Sequence, residues 1–245
     1  MKQSRFIIEK NIPLADRVYK MILSGDTSAI TKSGQFVNIK IDGLFLRRPI
    51  SVCDRDEKTF TIIYKVVGEG TKRMSEYKTG DFLDILCGLG NGYDTSPCKK
   101  SALLLGGGVG VPPLYLLAKE LTAEGKKVSV VLGFNGKSEV FLEDEFKKAG
   151  ASVIVATADG SYGKKGFVTD VLCGIEYDYF FCCGPEAMLR AVYKCTKTDG
   201  QFSFEERMGC GYGACMGCSC KTITGNKRIC KEGPVLKKEE ILWEG

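Results

Sequence analysis

A chain of 245 residues, 44% apolar and 27% charged, has the composition of a soluble globular protein with room for two ordinary domains and a small appendix. It contains no histidine, which excludes a Ser-His-Asp triad, a histidine general base and histidine-ligated zinc within the chain. The net charge of +5 is modest, and basic pairs such as Lys99-Lys100, Lys147-Lys148 and Lys237-Lys238 read as solvated surface, not as nucleic-acid contacts.

The first stretch, MKQSRFIIEKNIPL, has no apolar core of a secretory signal, and no apolar run reaches the length of a membrane span. Twelve cysteines in such a chain point to a reducing cytoplasm and a metal or redox role. Short runs rich in β-branched and aromatic residues predict strands over 6–9, 18–23, 36–41, 60–66 and 82–86, with a short helix over 71–77. Their even spacing suggests a closed antiparallel barrel or a sandwich.

From residue 101 the pattern alternates. Strands are expected over 102–105, 128–134, 152–156 and 179–183, and helices over 113–124, 139–149, 168–172 and 185–198. Strand and helix in turn imply a parallel, doubly wound sheet. A short strand over 202–205 leads into a segment dominated by cysteine. The expected division is 1–98, 99–207 and 208–245, an all-β domain, an α/β domain and a small C-terminal domain.

Met208 to Lys221 reads MGCGYGACMGCSCK. Cys210, Cys215 and Cys218 stand in the spacing C-x4-C-x2-C, and Cys230 supplies a fourth thiolate, the plant-type arrangement for a [2Fe-2S] cluster. Thiolates converging on two irons need a tightly curled loop, and Gly209, Gly211, Gly213 and Gly217 permit one. Zinc usually takes two short cysteine pairs, and one tight triplet with a distant single matches that poorly. Cys220 is a fifth cysteine in the loop, read as a packing residue, with exchange for Cys218 left open. A non-enzymatic zinc module using a degenerate nucleotide fold for protein contact is the competing reading.

Two loops mark a nucleotide site. The strand over 102–105 runs into Gly106-Gly107-Gly108-Val109-Gly110-Val111-Pro112-Pro113, where a glycine turn before a helix lets a pyrophosphate approach the backbone. The competing reading is a tight turn alone, since the full G-x-G-x-x-G spacing is absent. Cys183-Gly184-Pro185-Glu186-Ala187-Met188 closes another strand at the same sheet edge. In the barrel, Arg47-Arg48-Pro49-Ile50-Ser51 and Gly68-Glu69-Gly70-Thr71 combine a cation with a helix start. They read either as a pyrophosphate site or as a strand with a surface ion pair and a helix cap.

Taken in order, RPIS, GEGT, GGGVGVPP and CGPEAM resemble the ferredoxin reductase family, in which a β-barrel binds FAD and an α/β domain binds NAD(P). With ERMGCGYGACMGCSCKT and RICKEGPV added, the whole chain resembles the electron-transfer subunits of type B dihydroorotate dehydrogenase. The resemblance implies that Arg48 binds FAD phosphate, that Pro49, Ile50 and Ser51 address the flavin, that Ile63, Tyr64 and Lys65 lie along FAD, and that Gly70 and Thr71 form a phosphate turn. Relatives often carry an aromatic residue where Ile50 stands, so Tyr64 or another aromatic would stack on the flavin.

It further implies that Gly108, Gly110 and Val111 line the NAD site with Cys183, Gly184 and Pro185 near the nicotinamide, and that Cys210, Cys215, Cys218 and Cys230 hold the cluster. The implied partner is an FMN-containing catalytic subunit that oxidises dihydroorotate to orotate, in a heterotetramer of two of each. This chain, with no evident FMN barrel, would not oxidise dihydroorotate alone. The nearest rival is the small subunit of an NAD(P)H:ferredoxin oxidoreductase of the sulfide dehydrogenase type, where an Asp replaces one cluster cysteine. The choice of NADH or NADPH falls to Asn135-Gly136-Lys137-Ser138, which has neither a clear ribose-binding acid nor an obvious 2′-phosphate cluster.

Overall fold

The computed structural model describes residues 1–243. Its first six strands are β1 (Lys2–Ala15), β2 (Val18–Ser24), β3 (Phe36–Ile39), β4 (Arg48–Arg55), β5 (Thr59–Lys65) and β6 (Phe82–Leu89), with helix α1 (Glu69–Glu76) between the last two. All pair antiparallel and close into a barrel in the order β1-β2-β5-β4-β3-β6. Period-two alternation drives the closure: in β6, Leu83, Ile85, Cys87 and Leu89 turn inward while Phe82 and Asp84 face out. Register shifts at Ile8/Lys10 and Pro13/Ala15 let the long β1 bend around the barrel. Phe6 meets Phe60 edge-on at 5.0 Å in the centre.

The strand over 48–55 had no counterpart among the expected elements. Its first four residues are all half-buried, so it carries no in-out alternation for a pattern to reveal.

Beyond the barrel follow β7 (Ser101–Gly107), α2 (Pro113–Ala123), β8 (Lys127–Phe134), α3 (Glu143–Lys148), β9 (Ser152–Thr157), β10 (Lys164–Lys165), β11 (Tyr179–Cys183), α4 (Glu186–Cys195) and β12 (Gly200–Ser203). The sheet order is β10-β9-β8-β7-β11-β12, all parallel. Covered on both faces, β7 and β11 are almost continuously buried.

The helix expected over 139–149 is broken. A 3₁₀ turn covers Lys137–Glu139, Val140 is extended, Leu142 takes a left-handed φ of 64°, and α3 starts only at Glu143. Core burial of Phe141 and Leu142 overrides their helical propensity. The expected helix over 185–198 likewise ends at Cys195, and the strand expected over 202–205 runs over 200–203.

The cysteine segment adds a hairpin, β13 (Ser219–Thr222) and β14 (Gly225–Arg228), and then β15 (Val235–Lys237). This last strand pairs antiparallel with β12, Phe202 opposite Leu236, and completes a seven-stranded sheet. Cys218, Ile229 and Cys230 share one buried cluster with Phe180, Phe202 and Leu236. The segment is thus seated on the sheet by apolar burial, at about 1.5–3 kcal/mol for each large side chain fully removed from water.

Candidate functional site

Two clefts and the cysteine loop adjoin. The first cleft, about 360 Å³, lies between barrel and sheet and is lined by Arg48, Pro49, Ile50, Ser51, Ile63, Tyr64, Lys65 and Thr71 from the barrel side. Val109 and Cys183 close it from the sheet, and Phe204 and Met208 from the approach to the cysteines. Of the residues implied for FAD, only Gly70 is outside this lining.

Gly70 lies under Arg48 instead: a Cβ there would stand 2.2 Å from Arg48 Nε. The guanidinium therefore sits against the first turn of α1, where unpaired backbone N–H groups and a helix dipole also favour negative charge. That pairing fits a diphosphate group such as that of FAD. The Thr71 hydroxyl is occupied within the turn, accepting from the N–H of Val67 at 2.9 Å and of Gly68 at 3.2 Å. Neighbouring Arg47 turns the other way to an ion pair with Asp84 at 2.8 Å, so the two adjacent arginines have separate duties.

Tyr64 is buried, with its ring stacked on Tyr19 at 5.9 Å and its hydroxyl donating to Asn11 Oδ1 at 3.0 Å. Its aromatic face is thus committed to the barrel, and Phe36 and Phe204 are the other rings in the lining. Glu205 and Glu206 also reach this cleft. Glu205 is solvent-exposed as a residue, yet the cleft walls desolvate its carboxyl and push its pKa up. Neither acid was singled out in the sequence, where they read as a polar run before the cysteines.

The second cleft, about 430 Å³, opens at the carboxyl ends of β7, β8 and β9. Gly107, Gly108, Pro185 and Met188 form one wall, with Phe134, Asn135, Glu139 and 166–169 opposite. Gly108 has φ of 52° and nothing within 4 Å of where a Cβ would stand, an open backbone that a pyrophosphate can approach. Gly110 and Val111 are outside this lining. A Cβ on Gly110 would lie 2.4 Å from the Cys183 carbonyl oxygen, so this glycine lets the two sheet-edge loops touch. Val111 is fully buried beneath them.

Cys183 faces the first cleft and Pro185 the second, leaving Gly184 at the junction. Burial pushes the Cys183 thiol up to about 12, so it stays a thiol at neutral pH.

The cysteine loop docks on the barrel through buried Asn38 of β3, whose Nδ2 donates to the Cys210 carbonyl at 3.4 Å. Asn38 is paired across the strands with Pro49, in the wall of the first cleft. The four candidate ligands are neighbours: the Cys215 N–H reaches the Cys210 sulfur at 3.5 Å, the Cys230 N–H reaches the Cys218 sulfur at 3.4 Å, and Cys210 also acts electrostatically on Cys230. Among the described residues, no three such side chains form a closed metal site.

The Cys210 sulfur accepts from the N–H of Ala214 at 3.2 Å and of Cys215 at 3.5 Å. Burial raises this thiol, and the surrounding N–H donors outweigh it, holding the group at about 6. Amides aimed at sulfur and an all-thiol donor set fit an iron-sulfur cluster. Arg228 braces the loop, donating to the Gly213 carbonyl at 2.6 Å and pairing with Glu232. Cys220 lies half-buried in β13 opposite Lys227, on the hairpin two residues beyond Cys218.

The model of the iron-sulfur cluster binding domain of dihydroorotate dehydrogenase B matches residues 205–242. A solved chain of an NADH-dependent reduced ferredoxin-NADP oxidoreductase superposes with a TM-score of 0.88 at 31% identity, over 97% of this chain and 90% of that one. The dihydroorotate dehydrogenase B (NAD(+)) electron transfer subunit of Fusobacterium nucleatum is 46% identical over 100% of both chains. That of Listeria innocua is 44% identical over 98% of this chain and 99% of its own. The chain belongs to the family of dihydroorotate dehydrogenase B electron transfer subunits.

Proposed function

We propose that this chain passes electrons between NAD(H) and the FMN of a separate dihydroorotate dehydrogenase catalytic subunit, by way of FAD and a [2Fe-2S] cluster. The setting is a cytoplasmic assembly of two copies of each chain. Residues 1–98 hold FAD, 99–207 hold NAD(H) and 208–245 hold the cluster. Physiologically the current runs from dihydroorotate towards NAD. Bound FAD supplies the exchange between a two-electron hydride and single electrons, and the cluster carries single electrons.

One observation carries this reading: a single cleft has walls from the barrel (Arg48 to Ser51), the sheet (Val109, Cys183) and the approach to the cysteines (Met208). The chain's own residues bind and orient. Arg48 and the first turn of α1 neutralise a diphosphate, and Ile50, Ile63 and Phe204 exclude water around a ring. The turn from Cys183 to Pro185 brings the dinucleotide cleft against the flavin cleft, and Asn38 ties the cysteine loop to the strand beside it. No helix among the described residues is long and apolar enough to cross a membrane.

The test is anaerobic co-expression with the candidate catalytic subunit. NAD-linked dihydroorotate oxidation is expected only with both chains, and the purified chain alone is expected to be yellow-brown and to reduce a dye with NADH. A colourless preparation would return the zinc reading. Co-purification with a large iron-sulfur flavoprotein in place of an FMN protein would favour the sulfide dehydrogenase type of partner.

A further inference from the structure

The loop after β8 is where the sequence offered no ribose-binding acid, and the structure supplies one at one remove. Glu139 lies in the wall of the dinucleotide cleft beside Asn135. Its Oε2 accepts from Asn135 Nδ2 at 2.8 Å and from the Asn135 backbone N–H at 3.3 Å, and its Oε1 pairs with Lys65 Nζ at 2.8 Å. The Lys65 ammonium comes first among the groups that hold the Glu139 carboxyl below its ordinary range. Lys65 belongs to β5 and the flavin cleft, and a second tie, Asp16 N–H to the Ser138 carbonyl at 3.1 Å, fixes the same loop to the barrel.

A carboxylate can only accept, so the Asn135 amide must turn its NH₂ towards Glu139. Asn135 is exposed and lines the cleft, so its Oδ1 remains free to accept from a ligand there. In open α/β sheets the ribose of a dinucleotide lies beyond the carboxyl end of the strand next to the glycine turn, here β8. A ribose hydroxyl can donate to a fixed acceptor. A 2′-phosphate presents acceptors and negative charge, and would leave both partners unsatisfied.

We propose that Asn135, held in one orientation by Glu139 and Lys65, reads the adenosine ribose hydroxyls and selects NAD(H) over NADP(H). This rests on the dinucleotide reading given above. Asn135 is the contact residue, and Glu139 and Lys65 are positioning residues. Lys137, an exposed cation two residues on, is the group that would receive a 2′-phosphate if selection ran the other way.

The test is calorimetric titration of the full, FAD-loaded chain with NAD⁺ and NADP⁺. Wild type is expected to bind NAD⁺ at least about tenfold more tightly, the worth of one good hydrogen bond to a fixed acceptor. Asn135→Ala should weaken NAD⁺ about tenfold with NADP⁺ unchanged. Glu139→Gln, which can donate and so releases the Asn135 amide, should lower the preference in the same direction. Lys65→Arg should retain it. The double variant N135A/E139Q should be no worse than N135A, because both act through one contact.

Equal binding of the two nucleotides by wild type, an equal loss for both in N135A, or a preference set by Lys137→Ala would each overturn the assignment. A chain that binds neither nucleotide would overturn the dinucleotide reading itself. Binding of both alike would sink only the role of Asn135.

Discussion

The sheet edge and the cysteine loop both bring glycines close to a prospective cofactor, yet they are built in opposite ways. At the sheet edge the backbone is settled by packing: Gly110 is wedged against Cys183, Gly107 against Met188, and Val111 is fully buried below them. The cysteine loop exposes Cys215, Met216 and Tyr212, and holds Met216 at a left-handed φ of 60°. The sheet edge is thus fixed by packing, whereas the cysteine loop is held by hydrogen bonds from Asn38 and Arg228 and leaves Cys215 at the surface.

The largest expected effect breaks that comparison at the loop. Cys218→Ser should abolish the visible iron-sulfur absorption and lower NAD-linked dihydroorotate oxidation by the two-subunit complex at least about a hundredfold. Dye reduction by NADH should persist, and Cys220→Ser should retain the cluster. A normal cluster spectrum in Cys218→Ser with loss in Cys220→Ser would exchange their roles.

On the packed side, Gly110→Ala drives a methyl into backbone that cannot yield, at a cost of about 1–3 kcal/mol in urea unfolding. Unchanged stability would mean that the edge is as compliant as the loop.

Arg48→Met should weaken FAD retention about ten- to a hundredfold, the range for a charge-assisted hydrogen bond, measured by flavin release on dilution. An unchanged release would remove Arg48 from the phosphate site.

The smallest effect is at the start of β7, where Asp178 accepts from the N–H of Lys99, Lys100 and Ser101. Burial opposes ionisation, and these donors outweigh it, holding the carboxyl below its ordinary range. Its contribution is present above the unfolded value near ~4 and is lost as pH falls through the lower folded value. Asp178→Asn should therefore cost about 1 kcal/mol at neutral pH, with the difference from wild type shrinking only below about pH 4. A gap that does not narrow in acid would assign it to something other than the carboxylate.

Much of this was legible in the chain. The strand-helix alternation after Ser101 and the C-x4-C-x2-C spacing are local signals, and each specifies its own element. The FAD-implied residues from 48 to 71 converge because they flank one barrel seam. What escaped was non-local. Nothing near Glu139 announces its ion pair with Lys65, 74 positions earlier. Glu205 and Glu206 became cleft residues only because β12 ends at Ser203 and sends the chain across the seam. The break before α3 reflects tertiary burial of Phe141 and Leu142 against a run of good helix formers.

The antiparallel pairing of β15 with β12 bears on the order in which the molecule is made. Leaving the ribosome, β12 has a bare outer edge, a template for unwanted strand pairing. That edge stays open until the whole cysteine segment has been synthesised and has folded back to deliver Val235–Lys237. Covering the sheet therefore waits on the same stretch of chain that carries the four candidate cluster ligands. Truncating the chain before Val235 would leave that edge exposed, and aggregation of the truncated chain is the expected consequence.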